Sequence, residues 1–548
     1  MNTSSNNTHH GKWRILFLFL CLFLLLASGR LDSGDANAEL AGSVNLVQTG
    51  SLGTATPYSD EFIQSLFVHA PNGRYYEAHD IGNSLLLTPA AVGGSVASAR
   101  LSRAASSTKL DSQSRLRTLI SKTLASLIET ATSAVACFYL FLLFGLFYKA
   151  RPAFIMTAVF IFATFYTAYF RTGWDVLPAC NAVIVLLYYS AKLILAPVIR
   201  VSDSVSVALM FGIVCIFRFS LAPFLGLGLL IMLWGVRKRI RRSAVVAAIS
   251  TAVVMFIPTL IFNSIRTGSP LKSASTAPQF HYQTGLTGNL AKGMFGLLLS
   301  PNRGLFIYSP ILLLLVLLPW YWKSMPTGLK SLLKAYLPPV FFYYLMIAKM
   351  LNWGAAGWGP RYLLPVLPIL FLGTAAVAYQ LWIESQAQRL LVVSLCSIAL
   401  LLSLPTLLVD YSNATLQYPD AFSLTTPYPV QHIAVWKNLL AGLRGRPVQA
   451  RANVGTDEES KLLMAFPDLL VTRAHQVLAG RSTVAARILV GLYVGALGCI
   501  AYLLWISVSR AEELTDNDGV LPGQAPPQGE EVSPDVNDPM WRKRGIVA

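Results

Sequence analysis

Residues 300–322 read SPNRGLFIYSPILLLLVLLPWYW, and they set a charged side chain against a long apolar run. The run from Leu305 onward is long and apolar enough for a membrane-spanning helix. Arg303 lies at the mouth of that helix, where a charge is costly unless a polar or anionic group offsets it. The stretch therefore indicates a membrane-embedded chain with a partner for Arg303 at one helix end.

The composition of the whole chain agrees with this interpretation. Of 548 residues, 54% are hydrophobic and 13% are charged, and the mean hydropathy is +0.54. A soluble protein carries about a quarter charged residues. Since several apolar stretches also reach the length of a bilayer-crossing helix, we predict an all-α polytopic membrane protein.

The basic charge and the cysteines exclude two other classes of protein. The net charge is +17, and much of it falls in short loops between apolar stretches, as in RKRIRR at 237–242. Such loops set the orientation of a membrane protein, and no nucleic-acid motif accompanies them, so we expect no nucleic-acid partner. The six cysteines lie in or beside apolar stretches without CxxC spacing, which argues against a disulfide framework and a cysteine metal site.

Hydropathy predicts about 12 spans, within a range of about 11 to 13. An even number keeps Arg200 and the 237–242 loop on one side, which the positive-inside rule makes the cytoplasm. The first span has an alternative interpretation, because Trp13 to Ser28 also has the basic start and short apolar run of a cleavable signal peptide. The expected spans are 1–28, 125–148, 153–170, 177–198, 204–220, 222–236, 244–263, 305–322, 332–348, 362–381, 389–409 and 485–508.

This topology divides the chain into a membrane core and several outer segments. We expect residues 29–120 to form an outer loop with amphipathic helices, since apolar residues recur there at helical spacing. The acidic, Pro- and Gly-containing tail is expected to be disordered and cytoplasmic. The remaining divisions are the core at 121–410 with outer loops at 264–304 and 349–361, a small outer cap at 411–484, the last span at 485–508 and the tail at 509–548.

Three carboxylates in the outer segments are candidates for proton transfer. Asp32 and Asp35 begin a helical pattern just after the first span, and Asp175 follows the third span. A carboxylate can take a proton from a hydroxyl during catalysis. The alternative for Asp32 and Asp35 is a helix cap, and the alternative for Asp175 is an interfacial ion pair with Arg171, four residues earlier.

Basic and aromatic residues in the same segments are candidates for binding a phosphate and its attached group. Arginine matches a phosphate through its planar fork of donors. The alternative for each arginine is a snorkelling anchor, although this does not explain the glycines beside Arg303 and Arg361. The phosphate candidates are Arg171, Arg303, Arg361 and His79, and the candidates for lining a substrate pocket are Tyr76, Trp174, Tyr308, Trp353 and Trp358.

Taken in order over residues 10–410, these motifs resemble those of GT-C membrane glycosyltransferases, in the branch that includes protein O-mannosyltransferases and the lipid A aminoarabinose transferase. The family has an acidic residue about fifteen before a glycine in its first outer helix, as Asp35 stands before Gly50; the second acid of that motif is Ala36 here, and its tyrosine is Glu39. The family's R-x(3,4)-D resembles Arg171 to Asp175. Its SPxRGLFxYSP and GxRYLLPxLP patterns match 300–310 and 359–368.

The resemblance implies a GT-C-like helical bundle in a bacterial inner membrane, among membrane lipids and with its active site on the outer face. It implies that a sugar on a polyprenyl phosphate is transferred, with inversion, to a hydroxyl of a lipid, glycan or protein. Asp35 would take the proton, and arginines would stabilise the departing lipid phosphate. No cofactor is then required, although Asp32, Asp35 and Asp175 could hold a divalent cation if the fold brings them together. The competing interpretation is a transporter or flippase, for which Arg218 beside Pro223 is the strongest candidate for a mid-span charge.

Overall fold

The structure is a computed structural model, and it is a helical bundle with one short hairpin. Its apolar helices make it an integral membrane protein. The residues that it describes are 3–31, 33–57, 64–104, 110–274, 285–354, 357–412, 428–446, 466–479 and 482–517.

The first half of the chain is built from ten helices and two short strands within the described residues. They are α1 (Thr3–Leu26), α2 (Gly34–Thr49), β1 (Phe67–His69), β2 (Tyr75–Glu77), α3 (Ile81–Ala104), α4 (Leu110–Gly145), α5 (Ala150–Phe162), α6 (Tyr166–Tyr169), α7 (Val176–Leu195), α8 (Val201–Phe217), α9 (Ala222–Val236) and α10 (Arg242–Thr267). A 3₁₀ turn, Phe219–Leu221, joins α8 to α9.

The second half is more interrupted. Its helices are α11 (Leu290–Leu299), α12 (Leu305–Tyr308), α13 (Leu318–Tyr321), α14 (Thr327–Lys349), α15 (Leu367–Glu384), α16 (Gln386–Ser403), α17 (Pro405–Leu408), α18 (Val430–Leu443), α19 (Leu470–Ala479) and α20 (Thr483–Asn517). Its 3₁₀ segments are Pro310–Leu317, Trp322–Ser324 and Arg361–Val366.

The predicted spans coincide with helical segments. Within the described residues, eight segments are long and apolar enough to cross a membrane. The other four expected positions hold α1 and three shorter apolar helical segments, Ala150–Phe162, Val201–Phe217 and Pro310–Ser324. α1 packs against α4 and α20, and the Tyr493 hydroxyl donates to the Leu25 carbonyl at 2.9 Å.

Two expected spans are broken rather than continuous. The span predicted at 153–170 ends at Phe162 and resumes as the single turn of α6. The Thr167 hydroxyl occupies the break, where it donates to two backbone carbonyls at 2.7 and 2.8 Å. The span predicted at 305–322 is largely 3₁₀ helix, and prolines at 310 and 319 stand at the first or second position of successive segments. Proline removes a backbone donor, which accounts for these changes of helix type.

The bundle has two distinguishable ends. Arg239 donates to the carbonyls of Ala196 and Ile194 at 2.7 and 3.0 Å, so the 237–242 loop lies beside the end of α7. The helix pair that flanks Pro223, α8 and α9, therefore starts and finishes at one end of the bundle. Asp175 and Arg218 lie at the opposite end of α7 and α8, which we call the site end.

The predicted helix in the first outer loop is α2, and its cap is not the one expected. Ser33 caps the helix, since its hydroxyl accepts from the Ala36 N–H at 2.9 Å. Asp35 lies within the first turn and is not the capping residue, so the helix-cap alternative for Asp35 is wrong. The helix ends at Gly50 in the left-handed region, with a φ of 74°, and packs against α3.

The segments after 411 also differ from expectation where they are described. Ala434, Val435 and Leu439 of α18 are buried in the main hydrophobic core, so this part of the proposed cap packs directly on the bundle. Helix α20 continues to Asn517, and residues 509–517 are therefore helical rather than disordered. The predicted tail beyond that point lies outside the described residues.

Candidate functional site

Two segments of the chain cross at the site end and bring the predicted carboxylates together. The Ser33 hydroxyl donates to the Gly173 carbonyl at 3.2 Å, and the Ser28 hydroxyl donates to the Arg171 carbonyl at 2.9 Å. The segment that enters α2 is thus fastened to the segment that enters α7. Asp35 and Asp175 stand in the first turn and at the N-terminal boundary of these helices, where a negative charge is favoured by the helix dipole.

Arg361 bridges the two carboxylates. One guanidinium nitrogen lies 2.6 Å from Asp35 Oδ2 and 3.3 Å from Asp175 Oδ1. Arg218 holds the other side of Asp175, with 3.0 Å between its guanidinium nitrogen and Oδ2. His79 Nε2 lies 3.5 Å from Asp35 Oδ1. We call these five residues the Asp35 cluster.

The Asp35 cluster is recessed but not sealed. The side chains of Asp35, His79 and Arg218 are 13%, 16% and 15% exposed, and the side chain of Asp175 is 6% exposed. Asp35 is therefore the more accessible of the two carboxylates. A ligand can approach its oxygens without unpacking the core.

The guanidiniums determine the charge of the deeper carboxylate. Burial alone would raise the pKa of Asp175, but Arg361 and Arg218 outweigh that effect and lower the pKa to about 2. Asp175 is therefore ionised at any physiological pH. Ligand atoms of Asp35, His79 and Asp175 lie within 4.8 Å of one another, which is close enough to hold a metal ion. Two guanidiniums already neutralise the carboxylates, however, and they would repel a cation placed between them.

An aromatic wall supports the cluster. The Arg361 guanidinium lies over the Trp174 ring, 4.8 Å from its centroid, and Trp174 is stacked on Tyr411 with an interplanar angle of 18°. Trp358 contacts Tyr411 on the far side, at 5.7 Å between ring centroids. A cation over an aromatic face is stabilised in an orientation that keeps its donors at the rim. The wall thus fixes Arg361 while leaving its N–H groups directed at the carboxylates.

Two further buried carboxyls, Glu39 of α2 and Glu77 of β2, are bound by polar side chains rather than by an arginine ion pair within the described residues. Glu39 accepts from Asn83 Nδ2, and Glu77 accepts from the Ser84 hydroxyl; each of the four side chains is at least 98% buried. Burial raises the pKa of Glu77 to about 8 and raises the pKa of Glu39 well above its ordinary value. Glu77 is therefore mostly protonated at neutral pH, in contrast to Asp175.

The structure corrects the role predicted for Arg171. Its side chain is completely buried and pairs with Asp468 rather than with Asp175, so the alternative of an Arg171–Asp175 ion pair is wrong. One guanidinium nitrogen lies 3.0 Å from Asp468 Oδ2 and 2.6 Å from the Thr406 carbonyl. Arg171 also donates to the Asp468 carbonyl, so all three contacts are internal to the fold and the side chain does not reach the Asp35 cluster.

The structure also places Arg303, the charged residue of the stretch 300–322, differently from the phosphate-binding role predicted for it. Arg303 is completely buried, and it donates to the carbonyls of Asn302 and Gly357 at 2.8 and 3.0 Å. The partners that the described residues provide through these two hydrogen bonds are backbone oxygens of the fold. Gly359, two residues before Arg361, has a φ of 62°, and a Cβ there would lie 2.8 Å from the Tyr308 ring. That glycine allows the backbone to cross an aromatic ring, and it is not needed for a phosphate.

The predicted pocket aromatics divide into two groups. Trp174 and Trp358 belong to the aromatic wall, and Tyr308 packs on Trp358 with 5.1 Å between ring centroids. Tyr76 and Trp353 do not line the site, because Tyr76 packs edge-on against Phe262 and the Trp353 ring lies over Gly296 of α11. Asp32 lies outside the described residues.

One member of the Asp35 cluster was not among the predicted site residues. Arg218 was identified only as a mid-span charge that favoured a transporter. It ends α8 at the break before Pro223, and its side chain reaches Asp175. The sequence feature that could have identified Arg218 is the interruption of the helix. A basic residue at such an interruption can reach the side chains of neighbouring segments.

Chemically, the cluster offers one accessible carboxylate and two guanidiniums that can be shared with an anion. An accessible carboxylate can accept a hydroxyl proton. Guanidiniums in a recessed site stabilise charge that develops on a phosphate oxygen. Proton abstraction from a hydroxyl beside a bound phosphate is the reaction type that these groups favour.

One solved structure is similar to the chain over most of its length: ArnT from Cupriavidus metallidurans, crystallised with undecaprenyl phosphate bound. The alignment covers 93% of this chain and 78% of that chain, with a TM-score of 0.45 and 12% sequence identity. No protein-family model and no curated protein sequence matches the chain. At this identity the site residues themselves have to indicate the chemistry.

Proposed function

We propose that the chain is a membrane glycosyltransferase that moves a sugar from a polyprenyl phosphate to an acceptor hydroxyl, with inversion at the anomeric carbon. The observation that carries the proposal is the position of Arg361, which bridges Asp35 and Asp175 while it lies on Trp174. The donor class is the one that the sequence resemblance implies. The acceptor is a hydroxyl of a lipid, a glycan or a protein.

Asp35 is the general base in this scheme. It is the more exposed carboxylate, and only one of its oxygens is bound to Arg361 at hydrogen-bond distance. Asp175 is held between two guanidiniums and stays ionised, so its role is to orient Arg361 and Arg218. The acceptor oxygen forms a bond to the anomeric carbon as the bond from that carbon to the phosphate oxygen breaks, and the hydroxyl proton goes to Asp35.

The charges of the cluster change in step with this reaction. Before transfer, the two carboxylates and two guanidiniums cancel in formal charge. When Asp35 takes the proton, one positive charge is left uncompensated on the guanidiniums. At the same moment the departing lipid phosphate gains negative charge. The site is therefore most complementary to the state in which the bond to the phosphate is breaking, which is what catalysis requires.

The proposal requires no cofactor, because the guanidiniums supply the positive charge that a metal would otherwise provide. It places the site on the outer face of the membrane, opposite the basic 237–242 loop. The positive-inside rule supports that orientation, since the loop lies at the far end of α7 from Asp175.

The test is the fate of a radiolabelled polyprenyl-phosphate sugar given to the protein in proteoliposomes. We expect cleavage to free polyprenyl phosphate, and we expect Asp35→Asn to transfer sugar at least about a hundredfold more slowly while still binding donor. An amide cannot take a proton near neutral pH, although it keeps the shape of the carboxylate. Asp203→Asn, at the opposite end of the bundle, is the matched control and should transfer at the wild-type rate.

Two results would contradict the proposal in different ways. Movement of the labelled donor between leaflets without cleavage would assign the chain to the flippases. Cleavage at an undiminished rate by Asp35→Asn would keep the transferase and reject Asp35 as its base.

A further inference from the structure

Asp468 lies at the centre of a buried charge cluster beneath the site. Arg30 binds it in a bidentate manner, with Nε at 3.0 Å from Oδ1 and a terminal nitrogen at 2.9 Å from Oδ2. Arg171 approaches Oδ2 at 3.0 Å and Arg473 approaches Oδ1 at 2.7 Å. Asp410 completes the group, 2.8 Å from a second terminal nitrogen of Arg30. We call these five residues the Asp468 cluster.

The cluster fastens the two segments that carry the catalytic carboxylates. Arg30 precedes Asp35 by five residues, and Arg171 precedes Asp175 by four. One carboxylate therefore holds both segments just before they present their functional side chains. The segment that contributes Asp468 is itself joined to the first of them, because the Leu470 N–H donates to the Ala27 carbonyl at 2.8 Å.

The position of the two segments depends on the charge of the Asp468 side chain. Asp468 is completely buried, and it is the one carboxylate that contacts all three guanidiniums within the described residues, whereas Asp410 contacts Arg30. Without that carboxylate, the Asp410 carboxylate alone would offset the three cations within the cluster, and the remaining repulsion would favour separation of the segments. A displacement of about 1 Å in a catalytic group can lower a rate about a hundredfold.

We propose that Asp468 is a positioning residue for the transfer reaction: it sets Asp35 and Asp175 at the spacing that Arg361 bridges. The described segment at 466–473, which lies beyond the motifs that resemble the glycosyltransferases, is then a working part of the catalytic unit. This inference rests on the proposed function for its kinetic consequence, but its structural consequence can be measured without any transfer assay.

The experiment compares Asp468→Asn with Asp410→Asn. Both changes keep the shape of the side chain and remove its charge, but Asp410 contacts only one of the three arginines within the described residues. For Asp468→Asn we expect kcat to fall about 10- to 100-fold and the donor KM to stay within about threefold. For Asp410→Asn we expect a change in kcat of less than about threefold, since Arg30 keeps both bonds to Asp468.

Two further measurements separate positioning from a purely structural role. Amide hydrogen exchange of the full-length protein should accelerate in the peptides that contain residues 30–36 and 170–176 in Asp468→Asn. The fall in kcat per folded molecule should persist at temperatures where the thermal unfolding curve shows Asp468→Asn to be fully folded, which a purely structural role would not produce. If Asp468→Asn gives no folded protein, Arg473→Gln removes one of the three cations and should show the same changes on a smaller scale.

The outcomes that overturn the inference are distinct from those that overturn the proposed function. Unchanged kcat per folded molecule, or unchanged exchange in the two peptides, would make Asp468 a structural anchor only. If the wild-type protein cleaves no donor, the proposed function fails, and the exchange measurement alone decides whether Asp468 holds the two segments together.

Discussion

Two arginine–carboxylate clusters occur within five residues of each other along the same two segments, yet they differ in what surrounds them. In the Asp468 cluster the central carboxylate is completely buried and shared by three guanidiniums. In the Asp35 cluster the outermost carboxylate keeps 13% of its exposure and shares one guanidinium with its neighbour. The first arrangement is saturated by the protein, whereas the second can exchange a protein contact for a ligand. Similar residue types thus serve structure or chemistry according to access.

The largest expected effect comes from exchanging arginine for lysine at Arg361, in the Asp35 cluster, and at the completely buried Arg303. Arg361→Lys keeps the charge but loses the fork that reaches both carboxylates, so donor turnover should fall about 10- to 100-fold with folding preserved. Arg303→Lys removes donors from buried carbonyls and should lower the thermal midpoint while turnover per folded molecule stays near wild type. Turnover of radiolabelled donor and thermal unfolding in detergent measure the two effects.

The reverse pattern would refute the distinction. If Arg303→Lys reduces turnover without loss of stability, Arg303 acts on the substrate after all. If Arg361→Lys turns over donor at the wild-type rate, the bridge between the two carboxylates is not the catalytic element.

A second, smaller effect separates Asp175, whose pKa is set by ion pairs with guanidiniums, from Glu77, whose pKa is set mainly by burial. Glu77 has a pKa of about 8 in the folded chain against an ordinary value of 4.5. Between these values the unfolded carboxyl is ionised while the folded one keeps its proton, so stability is full below about 4.5 and is lost as the pH rises toward 8. Asp175 has the opposite sign, because its pKa is lowered and its contribution is lost only as the pH falls toward 2.

Glu77→Gln should therefore flatten the fall in unfolding free energy between pH 5 and pH 8, a slope that reaches at most about 1.4 kcal/mol per pH unit for one group. The measurement is denaturant unfolding in mixed micelles at several pH values. Glu384→Gln is the matched control, because that carboxylate is exposed and should leave the slope as it is. A slope that persists unchanged in Glu77→Gln would show that Glu77 is ionised in the folded protein.

The smallest expected effect is that of salt. Screening shortens the reach of exposed charges from about 10 Å at 0.1 M to about 3 Å at 1 M, and it acts much less on buried pairs. Donor KM, which depends on the accessible cluster, should rise a few-fold over that range, while the midpoint of thermal unfolding changes little. An equal sensitivity of both quantities would mean that the Asp468 cluster is open to solvent.

Much of the site was accessible from sequence because its residues lie in recognisable motifs. Asp35, His79, Asp175 and Arg361 were all identified as candidates, and the fold brings them together. Arg171 and Arg303 were assigned to a phosphate because a charge near a helix end looks the same in sequence whether its partner is a ligand or a backbone carbonyl. Tyr76 and Trp353 failed for the related reason that an aromatic residue at a membrane boundary can face a site, a neighbouring helix or lipid.

The sequence by itself determined that the chain crosses a membrane many times, where most of its helices lie and which outer segments carry ionisable groups. These properties follow from hydropathy and local spacing, which depend only on residues that are close together in the sequence. Only the tertiary structure decided that Arg218 joins the site, that Arg171 pairs with Asp468 rather than with Asp175, and that Asp468 closes a cluster with residues almost 440 positions earlier. Such contacts depend on how distant segments cross, and neither composition nor local periodicity contains that information.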